Sequence, residues 1–181
     1  MRHTQLNTRS KSNPGKTLRN VSTIAGLVGI LAGCSNGAVP NTLPNKAKFI
    51  NPAGLSTPTG YTHVVEAPVG RTLYISGQIA FDKQGQLVGP GDFTAQAEQV
   101  FANLKVALEA SGATFNDVVK LGVYVTDVGQ LSAFRVVRDK YINQKNPPAS
   151  TLVEVSQFIR KELLLEIDAV VVVPAQPATA Q

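Results

Sequence analysis

The chain has 181 residues, enough for one domain and an appendage, and carries 17 Lys and Arg against 12 Asp and Glu, with one cysteine and two histidines. A single cysteine excludes an internal disulfide, and so few sulfur and imidazole groups leave no metal-binding pattern. Five of the basic residues, Arg2, Arg9, Lys11, Lys16 and Arg19, fall in residues 1–33, which contain no acid, so the remainder is formally neutral and lacks the positive surface that nucleic-acid binding needs.

Behind the basic stretch, Val21 to Gly33 forms an apolar run that ends in Leu31-Ala32-Gly33-Cys34. A basic segment, a short apolar segment and a small-residue cleavage site describe an export signal, and the run is too short to cross a bilayer as a helix. Leu-Ala-Gly-Cys resembles the lipobox of bacterial lipoproteins. That resemblance implies removal of residues 1–33, lipidation of Cys34, and a periplasm-facing protein held on a membrane through Cys34. Ser35 resembles outer-membrane rather than inner-membrane sorting. The alternative is an ordinary export signal followed by a chance cysteine.

Residues 34–58, rich in Asn, Pro, Gly, Ser and Thr, read as a flexible tether. In the alternative reading they fold onto the domain, with Phe49-Ile50 as the docking point. Residues 59–174 then carry the folded domain. Tyr61 to Ala67 and Thr72 to Ile79 read as two strands joined across Pro68-Val69-Gly70, and Asp82 to Gly85 as a further turn. Asp92 is placed to cap a helix whose apolar positions Phe93, Ala97, Val100, Phe101, Leu104 and Leu108 share one face, ending at Ser111-Gly112.

Val119, Leu121, Val123 and Val125 alternate with Lys120, Gly122, Tyr124 and Thr126, the period of a strand with unlike faces. Leu131, Phe134, Val137 and Tyr141 predict a second helix, stopped by Pro147-Pro148. Ser150 to Val155 and Leu163 to Val173 give two closing strands. Ala169 to Val173 is apolar on both faces, as a strand in mid-sheet or at a subunit interface requires. Residues 175–181 read as an unstructured tail.

Several separated segments resemble the RidA (YjgF/YER057c/UK114) family: Tyr61, Ile75-Ser76-Gly77-Gln78-Ile79, Gln96, Asn103-Leu104, Leu108 to Gly112, Val118 to Asp127, Pro148-Ala149 and Glu166-Ile167. The resemblance implies an α+β, chorismate-mutase-like fold in the order β-β-α-β-α-β-β, with two helices on one face of the sheet. It also implies a homotrimer whose other sheet face is covered by neighbours, with a small-molecule pocket in the intersubunit cleft and no cofactor. In the best-known branch these proteins hydrolyse enamines and imines. The resemblance makes Glu166 the residue that positions or protonates water. It makes Gly77 a backbone contact, and Tyr61 the aromatic that closes the pocket.

One position departs from that pattern. The active branch reads Pro-Ala-Arg-Ser where this chain has Pro148-Ala149-Ser150-Thr151, so Ser150 stands where an arginine grips the substrate carboxylate. Leu152 replaces a cysteine common in the family. Charge-assisted hydrogen bonds contribute about 1.5–3 kcal/mol each, so the pocket is expected to hold carboxylates poorly and to lack the standard deaminase reaction. Arg135 and Arg138 are read as solvated helix residues, not as a replacement clamp. The alternatives are a hydrolase that uses Glu166-activated water on substrates without a carboxylate, and a chaperone-like binding protein without turnover. Ribonuclease activity, also ascribed to some family members, fits poorly with export and a neutral surface.

Overall fold

The structure, a computed structural model, describes residues 46–175. Cys34, the signal, the first part of the tether and the tail beyond Ala175 lie outside the described residues. The elements, in chain order, are β1 (Lys48–Ile50), β2 (Val64–Glu66), β3 (Gly70–Gln78), α1 (Phe93–Ala110), β4 (Val118–Val125), α2 (Leu131–Arg138), β5 (Ala149–Glu154) and β6 (Leu165–Pro174). Four strands make the main sheet in the order β3-β6-β4-β5. β6 is antiparallel to both of its neighbours, while β4 and β5 run parallel.

Helix α1 forms where the apolar spacing predicts it. Asp92 accepts the Ala95 amide at 3.0 Å, the kind of cap that contributes about 1 kcal/mol. At the other end Gly112 takes φ +67°, which lets the Ala113 amide turn back to the Leu108 carbonyl at 2.9 Å. All six predicted apolar positions are buried against the sheet, each large one contributing about 1.5–3 kcal/mol. Gln96, on the same face, is also fully buried. Its amide donates to the carbonyls of Gly89 and Glu162 and accepts from Leu164, which ties α1 to the entry of β6.

Four expectations are corrected. The segment Tyr61–Ala67 contributes only β2, and β2 pairs with β1 in a separate two-stranded ribbon, not with β3. Lys48–Ile50, expected in the tether, is therefore a strand, and Phe49-Ile50, the docking point of the alternative reading, pair with Val65 and Val64. In β4 the buried set is Val118, Leu121, Val123 and Val125, because a bulge between Val118 and Lys120 shifts the alternation by one residue. Helix α2 ends at Arg138, well before Pro147. The amides of Tyr141 and Ile142 both bond to the Arg138 carbonyl, and this tight turn keeps Tyr141 stacked on Phe101 at 5.0 Å between ring centres.

The core lies between the helices and the sheet face that carries Leu121, Val123, Leu165, Ile167, Ala169 and Val171. As its apolar run suggests, β6 is a central strand. By strand alternation the opposite face presents Tyr74, Val170, Tyr124, Glu166, Asp168 and Val153. Tyr74 there is 81 % exposed, and Val153 is exposed as well.

Candidate functional site

A cleft of about 260 Å³ opens between α2, β5 and the chain that leads into β2. Ser150 and Leu152 form one wall, Thr59 and Tyr61 the other, and Leu131, Phe134, Arg135 and Arg138 of α2 close it from beside. The walls are brought together by Thr62, which is buried. Its amide bonds to the Pro148 carbonyl at 3.1 Å and its hydroxyl to the Pro147 carbonyl at 2.6 Å. The two prolines offer no amide of their own, so their free carbonyls serve as the anchor for the passing segment. Tyr61 is braced edge-on by His63, with ring centres 5.2 Å apart, and His63 Nε2 lies 2.8 Å from the Ser56 carbonyl oxygen.

Arg135 and Arg138 are not solvated residues, contrary to the expectation from sequence. Arg138 is only 8 % exposed. Its Nε and Nη2 both reach Asp139 Oδ1, at 2.8 and 2.7 Å, and its guanidinium lies 5.9 Å from the centre of the Phe134 ring. Gly60, at φ +79°, crosses directly over that group, where an added Cβ would sit 2.1 Å from Arg138 Nη2. Arg135 is half-buried and donates from Nη2 to the Thr59 hydroxyl at 3.2 Å. Its Nε is buried without a hydrogen-bond partner.

The remaining two residues that the sequence singles out lie elsewhere. Gly77 and Glu166 sit together on the open face of the sheet, where a Cβ on Gly77 would stand 1.8 Å from Glu166 Oε1. Two residues along β6, Asp168 rests in the same way over Gly122 of β4, where a Cβ would meet Oδ2 at 2.3 Å. The carboxylate of Asp168, as a hydrogen-bond partner and as a charge, holds the Tyr124 phenol above its ordinary range. Within one chain the sheet thus separates Tyr61, Ser150 and Leu152 from Gly77 and Glu166. Among the described residues no group of three or more His, Cys, Asp and Glu converges as a metal site would require.

Sequence reasoning missed Thr59, Leu131, Phe134 and both arginines as cleft residues. A signal for the arginines was present. Arg135 and Arg138 stand four and seven positions after Leu131, so both fall on the face that helical spacing marks as inward.

The fold and cleft define a small α+β protein with a ligand-sized hollow beside its second helix. The model of the family described as Endoribonuclease L-PSP matches residues 53–173. The chain belongs to this family, the RidA/YjgF group. It is similar to a RutC family protein of Synechocystis sp., 34 % identical over 129 residues that cover 70 % of this chain and 97 % of the relative. It is also similar to a protein of Dermatophagoides farinae named 2-iminobutanoate/2-iminopropanoate deaminase, 33 % identical over 62 % of this chain and 85 % of the relative.

Among solved structures it resembles the conserved Rid-family protein YyfB of Yersinia pestis, with TM-score 0.63 and 36 % identity over 71 % of this chain and 99 % of that one. It also resembles E. coli TdcF with bound serine, with TM-score 0.51 and 27 % identity over 59 % of this chain and 84 % of that one. The α+β architecture expected from sequence, a sheet with two helices on one face, is that of these neighbours.

Proposed function

We propose that this chain is a small-molecule-binding RidA-like protein whose pocket is completed between copies of a homotrimer. In this reading Tyr61, Ser150 and Leu152 come from one copy, and Gly77 and Glu166 from the next. The observation that carries it is the division of these five residues between opposite faces of one sheet. No metabolite-sized ligand reaches both faces of a single chain, so they act together only across a subunit boundary. The exposed Tyr74 and Val153 on the open face support its burial against a neighbour.

The pocket is not that of a standard enamine or imine deaminase. Ser150 offers a neutral hydroxyl at the strand position where the arginine-bearing branch holds the carboxylate. The ligand is a small carbonyl, imine or amide-like molecule. A cleft of about 260 Å³ suits that size, since pockets for drug-sized ligands measure about 300–1,000 Å³. Glu166 is the group available to orient water, so slow hydrolysis is the second reading, favoured by the fixed seat of its carboxylate over Gly77.

Light scattering gives the assembly mass, and 2-aminoacrylate hydrolysis gives the activity. A trimer with weak turnover that rises in Ser150→Arg supports the reading. A monomer, or rapid turnover by the unaltered chain, overturns it. We further propose an exported, lipid-anchored protein acylated at Cys34, on the outer rather than the inner membrane. Palmitate labelling that persists in Cys34→Ala would refute the anchor.

A further inference from the structure

Two hollows meet at Arg135 and Arg138. The cleft that holds Ser150 lies on one side, and a second hollow of about 330 Å³, bounded by Gly60, Asp139 and Ile142, lies on the other. The two guanidiniums differ in what they have left to give. Arg138 has its charge matched by two contacts to Asp139 and its plane set against Phe134. Arg135 has only the neutral Thr59 hydroxyl, and among the described residues no carboxylate lies within 4.0 Å of it. Arg135 is thus a half-buried guanidinium whose Nε is closed off within the protein, and its terminal nitrogens beside the cleft are what it can offer a ligand. A carboxylate is the ligand that pairs a guanidinium best, through two-point hydrogen bonding.

The geometry points to Arg135 as the anion anchor of the cleft: the protein takes small carboxylates after all, held from α2 and not from β5. This rests on the proposed ligand role of the Ser150 cleft and names its ligand class. With the carboxylate at Arg135, the rest of a small ligand extends toward Tyr61, Ser150 and Leu152, where it meets one hydroxyl and apolar surface. Arg138, neutralised by Asp139, forms the wall and does not grip. The position of the charge sets specificity. A ligand shaped for an arginine on β5 would present its carboxylate to Ser150 and find no cation there.

The test uses the full chain in mild detergent, titrated with 2-oxobutanoate and with its uncharged amide, 2-oxobutanamide, by NMR chemical shift. The acid should bind at least about tenfold more tightly than the amide, with a salt-sensitive affinity that the amide does not share. Arg135→Met should abolish the preference for acid over amide, both measured in the same variant, while Arg135→Lys keeps part of the difference. Equal binding of acid and amide by the unaltered chain, or no loss in Arg135→Met, overturns the anchor but leaves the cleft as a binding site. Binding of neither overturns both readings. A change of assembly mass in Arg135→Met shows that the cation serves a subunit contact, and it too overturns the anchor. The salt dependence and the acid–amide comparison need no variant, so the test survives if Arg135→Met does not fold.

Discussion

Gly77 and Glu166 occupy one space: a methyl group on Gly77 would lie 1.8 Å from Glu166 Oε1 and 2.9 Å from its Cγ. The carboxylate can lie where it does only because β3 has no side chain there. Because Cγ is crowded too, swinging the end of the side chain aside does not relieve the clash. Asp168 over Gly122 repeats the arrangement one strand away. The two acidic groups of the open face are thus held by bare backbone on either side of β6.

Gly77→Ala should therefore displace Glu166 and destabilise the fold by about 1–3 kcal/mol, the usual range for overpacking. In a Glu166→Ala background the same substitution should cost almost nothing. Urea unfolding of the four combinations measures the coupling, expected at about 1 kcal/mol or more. Additive effects would show that Glu166 moves away freely and has no fixed seat.

Gln96 joins α1 to the start of β6 through three hydrogen bonds from one fully buried side chain. Gln96→Leu keeps the volume but leaves two carbonyls and an amide without partners, each costing about 1–3 kcal/mol when buried. A loss of at least about 2 kcal/mol is expected in chemical denaturation, with amide exchange accelerated first near Leu164. A loss under about 0.5 kcal/mol would mean that water replaces the amide.

Thr62 fixes the distance between the walls of the cleft. Thr62→Val preserves shape and removes the hydroxyl bond to the Pro147 carbonyl, while the amide bond to Pro148 remains. A cost of about 1–3 kcal/mol follows from the orphaned buried carbonyl. Ligand affinity in the cleft should fall alongside it, because Tyr61 is the next residue. Unchanged affinity in a destabilised Thr62→Val would show that Tyr61 is held by His63 alone.

What the sequence made legible, and what it did not, follows from how far apart the interacting residues lie. Helix α1 could be read because its stripe, its Asp92 cap and its glycine stop are local. The bulge in β4 could not, since Val118 and Val119 are identical and nothing local says which one faces inward. The pairing of β2 with β1 depends on a partner inside a segment whose composition looks like a linker. Tyr61, Ser150 and Leu152, legible through their match to the family pattern, do converge. Gly77 and Glu166 converge as well, on the other side of the sheet. The setting of the arginines is not legible in sequence, because a helix face shows only which way a residue points. What lies opposite, the Thr59–Tyr61 segment held by Thr62, comes from more than seventy positions away in the chain.

Glu98, Lys140 and Tyr141 give the fold a pH dependence of predictable sign. Lys140 donates to Glu98 Oε1, and the Tyr141 hydroxyl donates to Oε2 at 3.0 Å. The hydrogen bond from Lys140 is the main reason that the Glu98 carboxyl sits below its ordinary range. Partial burial opposes that effect and the Tyr141 bond assists it. Burial among aromatic rings, then the Glu98 carboxylate, pushes the Tyr141 phenol up. A lowered carboxyl stabilises the fold fully above its unfolded value of about 4.3, and that contribution disappears as pH falls through the folded value. A raised phenol stabilises fully below its unfolded value of about 10, and that contribution disappears as pH rises through the folded one. Urea unfolding from about pH 3 to about pH 11 should show both losses. Lys140→Met should shrink the acid loss. Tyr141→Phe should shrink the alkaline loss and cost about 0.5–1.5 kcal/mol at neutral pH, while the stack on Phe101 survives. Some alkaline loss should persist in Tyr141→Phe, because Tyr124 beside Asp168 is raised as well. An alkaline limb identical to that of the unaltered chain would show that Tyr141 ionises with no penalty and that its bond to Glu98 is not formed in solution.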